Sequence, residues 1–295
     1  MTRRRPFLAI ALIAALAPAA AAQSQPVPAM TNDRGITSYM AFGGTSNSAG
    51  QVYELNTSVG YDFSSHFGAV VAAPIYFVRP SSTNTGATSA NGLGDPYVNL
   101  HVKFPSPAIN FASGLTGTAP VGDSEKGLST GRATFDWTSH IDHAFSDLNP
   151  FAEVGIANTI MDSQLYVRPY TTLGFNTHFQ IGASYRVWKF VSLGASGYDI
   201  VPHGQQTMFS RVKSAAAASA NPGSIHSGRV FESNQQTTGS ASIAQDHGFS
   251  AWIGASPSNT VDLQLGFTRS MVYDLNSVAF NIGINLGKLY RESQK

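Results

Sequence analysis

The sequence predicts an all-β protein, an antiparallel up-and-down transmembrane β-barrel of about twelve strands with short turns on one rim and long loops on the other. Three observations predict it. Large apolar residues recur at every second position in segment after segment, which gathers them on one face of a strand and would scatter them around a helix. The connections between these segments alternate short and long. Charged residues make up only 12% of the 295 residues although 42% are hydrophobic, about half the ~25% charge that a water-facing domain carries.

The last segment is the clearest. Over 277–287, Val278, Phe280, Ile282, Ile284 and Leu286 alternate with Ala279, Asn281, Gly283, Asn285 and Gly287. Over 51–63, Tyr53, Leu55, Val59, Tyr61 and Phe63 oppose Glu54, Asn56, Ser58 and Asp62. Over 172–187, Leu173, Phe175, Phe179, Ile181, Ala183, Tyr185 and Val187 oppose Thr172, Asn176, His178, Gln180, Ser184 and Arg186. Strands are therefore expected near 35–43, 51–63, 67–78, 95–104, 109–119, 132–145, 150–160, 170–187, 190–201, 247–255, 260–270 and 277–287. The long connections are 44–50, 79–94, 120–131, 161–169, 202–246 and 271–276. An even strand count puts both ends of the barrel domain on the short-turn side, the periplasm for an outer-membrane barrel.

A secreted β-sandwich or propeller also alternates apolar and polar positions. Here, however, the polar face is poor in Lys and Glu and rich in Gly, Ser, Asn and Thr, as a crowded lumen would be. Aromatic residues also fall toward strand ends (Tyr53, Tyr61, Phe63, Phe67, Phe77, Phe104, Phe145, Phe151 and Tyr185), which suits two interfacial girdles. The segment 68–78 is apolar on both faces and contains Pro74, so a bulge or a greasy stripe inside the lumen is expected there.

Residues 1–22 read as a signal peptide, with basic Arg3–Arg5, an apolar run over 7–16 and small residues Ala20, Ala21 and Ala22 before a cleavage point. Arg4, Arg5, Pro6, Phe7 and Leu8 also match a twin-arginine signal, but that route carries folded cargo and an exported barrel crosses the inner membrane unfolded. The remaining layout is an N-terminal periplasmic segment (23–34), the barrel (35–288) and a C-terminal tail (289–295) in which Tyr290 stands for the closing aromatic of an assembly signal. The expected location is the outer membrane. Without the three leader arginines, Lys+Arg falls from 18 to 15 against 17 Asp+Glu, and no basic stripe remains to neutralise phosphates, so no nucleic-acid partner is expected. The absence of cysteine excludes disulfides and thiolate metal sites. The expected partners are outer-membrane lipid, the barrel-assembly machinery and a small-molecule solute.

Gly92, Leu93, Gly94 and Asp95 open the fourth strand, and Pro120, Val121, Gly122 and Asp123 precede 127–131, a Gly-Leu-Ser-Thr-Gly run, ahead of the sixth. In this order of motifs the chain resembles, over about residues 35–290, the family named for the MetA pathway of phenol degradation, a group of outer-membrane transporters. The resemblance implies passage of small, often aromatic or hydrophobic compounds and carries no residue-level mechanism. Physically, glycines flanking an Asp permit positive φ and a self-hydrogen-bonded turn where strands leave the membrane. No complete oxygen-ligand loop follows Asp95 or Asp123.

Threading the strands up and down sets the lumen-facing ionisable residues in tiers. Glu54 and Arg132 fall toward the long-loop side; Asp136, His140 and His178 near mid-height; Asp62, Lys103, Asp142, Glu153, Arg186 and Asp262 toward the short-turn side. His101 shares the face of Lys103. These residues would line a conduit; the alternative is a salt-bridged interior that fills a narrow barrel. His140 and His143 are an odd number apart, face opposite sides and cannot share a metal ion. No metal, cofactor or catalytic residue is expected.

An outer-membrane lipid hydrolase would need a serine with a base in reach. Ser139 and His143 share the lipid face but lie about 13 Å apart by strand rise, and Ser227 beside His226 sits in a loop without support. The 202–246 connection is long enough to be functional or disordered; folded inward it would constrict the lumen, folded outward it would be a mobile surface loop, and the inward course is expected. Residues 215–218 could start a short helix within it. A closed barrel acting as a structural or adhesive surface protein would share every wall feature.

Overall fold

The computed structural model describes residues 35–81, 89–212 and 229–293. The signal-peptide reading, the 23–34 segment, the 215–218 helix and the Ser227–His226 pair all lie outside the described residues. The strands are β1 (Gly35–Asn47), β2 (Gly50–Asp62), β3 (Phe67–Pro80), β4 (Ala90–Leu93), β5 (Tyr97–Phe104), β6 (Asn110–Thr118), β7 (Thr134–Asp142) and β8 (Leu148–Ala157). They continue with β9 (Tyr170–Leu173), β10 (Asn176–Trp188), β11 (Val191–Pro202), β12 (Gln206–Ser210), β13 (Gln236–Gly239), β14 (Asp246–Ala255), β15 (Val261–Ser270) and β16 (Leu275–Asn285). Helix α1 is Val230–Ser233 and α2 is Leu286–Ser293.

The main sheet closes on itself. Each barrel strand pairs antiparallel with its neighbours in the order β2-β1-β16-β15-β14-β11-β10-β8-β7-β6-β5-β3, and the β2–β3 pairing completes the ring of twelve. Closure leaves no open edge, the condition for a sheet to sit in hydrocarbon. The period-two reading holds through the wall. In β7, Phe135, Trp137, Ser139 and Ile141 turn outward, while Thr134, Asp136, Thr138, His140 and Asp142 are buried inside. The outward face is an apolar belt: Val71, Leu100, Leu115, Val154, Ile181 and Leu265 are all exposed. An exposed apolar surface that encircles the molecule has lipid, not water, as its solvent, and this is an up-and-down transmembrane barrel.

Pro74 falls where it costs least. One flank of β3 pairs with β5 over Phe67–Ala72 and with β4 over Ile75–Val78. Pro74 sits at the junction, its carbonyl accepting from Gly94 N at 2.8 Å. The donor it lacks would point at that break, so no ladder bond is lost. Val70, Ala72, Tyr76 and Val78 are the expected greasy stripe inside the lumen, and all four are buried.

Five expectations are corrected. The single strand expected at 170–187 is two elements: β10 begins at Asn176, and β9 leaves the wall to pair with β12 in a separate three-stranded sheet, β13-β12-β9. Gly174, at φ +153°, makes the break. The strand expected at 95–104 begins only at Tyr97, as β5, and the connection expected at 79–94 carries a further short strand, β4. Phe151 faces the lumen, 7% exposed, and is no part of an interfacial girdle. Arg132 precedes β7 in an exposed connection and does not line the lumen. The last strand ends at Asn285, and what was read as strand end and tail is α2, whose Lys288 N is capped by Asn285 Oδ1 at 2.9 Å.

Candidate functional site

The long-loop mouth is filled from within. The 158–175 connection, residues 203–212 and residues 229–245 fold back into the barrel and build an apolar core there, against wall residues Val52, Tyr76, Val78, Tyr198 and Ile200. Tyr170 stacks on Phe231 at 5.0 Å between ring centroids and meets Tyr273 edge-on at 5.5 Å. The inward course expected for the 202–246 connection is what its described residues adopt. That 158–175 shares in the plug was not foreseen.

Two buried arginines fix the plug. Arg168, 1% exposed, donates from Nη1 to Asp246 Oδ2 at 3.1 Å, and its guanidinium lies 4.6 Å from the Tyr166 ring centre. Asp246 also accepts from Ser270 Oγ at 2.6 Å and Tyr198 OH at 3.1 Å, so its lone pairs are well used. Arg211 pairs with Asp162 Oδ2 at 2.7 Å, donates to the Arg168 carbonyl at 2.9 Å and lies over the Tyr76 ring at 4.4 Å. Asp162 accepts further from Tyr76 OH at 2.9 Å and Arg168 N at 2.7 Å. Burial works against both guanidinium charges. Tyr170 and Asp246 outweigh it for Arg168, as Asp162 and Tyr76 do for Arg211, and both are held above their ordinary pKa. A buried cation with its carboxylate and a full set of hydrogen bonds is a strong, directional clasp.

The two glycine-aspartate motifs meet at this mouth. Asp95 Oδ1 accepts from Val121 N and Gly122 N, each at 3.0 Å, and Oδ2 from Ser129 Oγ at 2.9 Å. The conformational reading of the motifs is met only in part: Gly92, Gly94 and Gly122 do not take the positive φ expected of them, which falls instead at Gly127 and Gly131, and Asp95 caps the neighbouring loop, not its own turn. Asp123 does cap its own turn, accepting from Lys126 N at 3.2 Å, and the Lys126 hydrogen bond holds its carboxyl below the usual range. A Cβ on Gly122 would stand 2.9 Å from the Leu93 carbonyl oxygen, and one on Gly127 (φ +67°) would fall on the Ser210 carbonyl. These two positions let the loops close over the plug. Asp95→Ala should cost about 1–3 kcal/mol of local stability. The check is hydrogen exchange at the Val121 and Gly122 amides, which should speed up; Asp95→Asn, keeping one acceptor oxygen, should lie between.

Below the plug, the lumen-facing residues form two clusters. Asp62 Oδ1 lies 3.2 Å from His101 Nε2 and 3.9 Å from Lys103 Nζ, all three buried. On β7, β8 and β10, His140 lies 3.6 Å from Asp142 and 3.5 Å from Glu153, while His178 contacts Asp136 at 3.2 Å. Residues read as separate tiers are here one group, because the stagger between barrel strands sets heights that strand counting misses. Glu54 faces inward near the plug, bonded to Asn56 at 3.0 Å. Arg186 binds Asp147 at 2.7 Å and Asp262 accepts from Ser256 at 2.7 Å, both at the short-turn rim. Among the described residues, no three or more His, Asp or Glu side chains are arranged so that they could hold a metal ion. Ser139 bonds Ser113 at 3.0 Å, and His143 packs on Phe145 at 4.2 Å between ring centres; neither is aimed at the other.

Two cavities flank Asp162 at the plug seam. One, of about 50 Å³, is lined by Tyr76, Tyr97, Asp95, Thr134 and Arg211; the other, of about 30 Å³, by Glu54, Asn56, Gln164 and Asn281. Each has room for a water or two, far short of the ~300 Å³ of a typical small-molecule site.

No known family's sequence profile matches the chain, and no curated protein does. Among solved structures it is similar to a NanC porin (8% identity, 83% of this chain and 98% of that one, TM-score 0.47). It is also similar to a KdgM porin (6%, 83% and 98%, 0.44) and to the translocator domain of the autotransporter NalP from Neisseria meningitidis (9%, 86% and 88%, 0.39). The barrel of this chain is established by its own strand pairing.

The sequence reading missed Arg168, Arg211, Leu165 and Trp252. A signal for the first was present: residues 165–170, Leu-Tyr-Val-Arg-Pro-Tyr, are too apolar and aromatic for a solvated loop.

Proposed function

We propose that this protein is an outer-membrane channel for small solutes and that the structure is its closed state. One observation carries the reading. The ring of twelve strands encloses an interior lined with ionisable and amide side chains, and among the described residues its long-loop mouth is stoppered by a plug clasped through ion pairs. A barrel whose sole task was structural would gain more by filling its interior with apolar side chains than by burying charge. Displacing the plug would join the lumen clusters to the outside. The resemblance to the phenol-pathway transporters extends the proposal to small aromatic or hydrophobic compounds, taken up by passive diffusion. The proposed location follows from the belt and the closed sheet, with the long loops outside and the short turns in the periplasm.

Single-channel recording in planar bilayers tests it. The full chain should conduct rarely, and a variant in which a short Gly-Ser link replaces 204–245 should stay open. Silence from both, with each shown to be folded, would leave the structural reading, which the tight packing of the lower lumen favours.

A further inference from the structure

The tip of the 158–175 connection does something specific. Ser163 and Tyr166 bridge to form a tight turn, and Leu165 at its apex reaches down the lumen to pack on Phe151 and Trp252. These two rings lie 6.4 Å apart and project across the wall from β8 and β14 over strands that carry glycine beneath them. A Cβ on Gly182 would come within 2.7 Å of the Phe151 ring, one on Gly194 would enter the Trp252 ring, and one on Gly266 would stand 2.5 Å from Leu165. The wall is hollowed to seat an aromatic platform, and the platform holds one aliphatic side chain of the plug.

Beside it lies a carboxyl group with little to satisfy it. His140 stacks on Phe151 at 5.6 Å and lies 3.5 Å from Glu153. Glu153 is 4% exposed, and neither of its carboxylate oxygens has a hydrogen-bond partner. A carboxylate this buried normally accepts several hydrogen bonds. Around it, Asp136, Asp142 and Glu153 outnumber the two imidazoles, and the nearby cation Arg168 is committed to Asp246. The surroundings call for a donor carrying positive charge.

We propose that the Phe151–Trp252 platform is a solute site for a small organic cation with an apolar body, and that Leu165 occupies it as a tethered stand-in while the plug is seated. The body would replace Leu165 on the rings, gaining dispersion and cation–π attraction, and the charged head would donate to Glu153. This rests on the channel reading and adds to it the class of solute and the means by which the closed state is held: plug and solute compete for one place.

Equilibrium binding to the detergent-folded full chain, followed by tryptophan fluorescence and calorimetry, tests the site without requiring conductance. The probes are benzylammonium, benzyl alcohol and benzoate, which share a body and differ in head charge. Leu165→Ala should raise affinity for benzylammonium by at least about tenfold, because a site freed from its competitor no longer loses affinity to it. Glu153→Gln in that background should remove the preference over benzyl alcohol, and benzoate should bind worst throughout. Leu165→Val, a one-methylene trim, gives the same order with a smaller gain should the alanine variant not fold. Equal binding of the three probes, or no binding by a folded Leu165→Ala protein, would overturn the site. Conductance without binding sinks the site alone; binding without conductance in any variant sinks the channel.

Discussion

Arg168→Ala is expected to unseat the plug. The change removes a fully buried cation and leaves Asp246, 0% exposed, with its charge uncompensated; breaking a buried pair from one side costs about 3–5 kcal/mol. The hydroxyls of Ser270 and Tyr198 that also bond Asp246 cannot replace a charge. The outcome is read twice, as sustained conductance and as proteolysis within 158–175 from the long-loop side. Pairing it with Asp246→Asn should restore much of the closure, since removing both charges avoids the orphaned one. Arg229→Ala is the contrast. Arg229 donates to Glu232 at 2.6 Å, to Ser48 at 2.8 Å and to the Tyr273 carbonyl at 3.0 Å in a half-buried position that water still reaches, and a partly solvated pair of this kind is worth about 1 kcal/mol. If Arg168→Ala conducts and resists protease like the parent protein, the clasp is not what holds the mouth shut.

Leu265→Arg is the second large effect. Leu265 stands outward at mid-belt on β15, between Ile253 on β14 and Phe280 on β16, and is 54% exposed to what would be acyl chains. An arginine at that depth costs about 2–4 kcal/mol. The measurement is reversible folding into phospholipid vesicles against urea, where the midpoint should fall well below that of the parent. Gln264→Arg, one residue earlier and facing the lumen, should change it little. Equal effects at the two positions would mean that the belt does not face lipid.

The wall was legible because a barrel strand is read residue by residue. Each side chain sees either hydrocarbon or lumen, the choice alternates, and 275–285 or 51–62 displays it without reference to any other segment. The register that brings Asp136, His140, Glu153 and His178 together is a different matter. It depends on how far each strand slides past the next, and that stagger is set around the whole ring. Arg132 misled for a related reason: its spacing continued the period of β7, but the strand begins only at Thr134, and beyond a strand's end parity has no meaning. Phe151 misled because an aromatic near a strand end suits a girdle as well as a lumen platform.

The sequence by itself determined that the chain forms a closed antiparallel barrel with an apolar outside, a polar inside, short turns at one rim and long loops at the other. Only the tertiary structure decided that the mouth is stoppered and by what. The plug joins residues far apart in the chain, Arg168 with Asp246 and Arg211 with Asp162, and its apolar stretches face neither lipid nor water but one another. A pattern of apolar and polar positions records the polarity of a side chain's surroundings, and protein interior and hydrocarbon look the same to it.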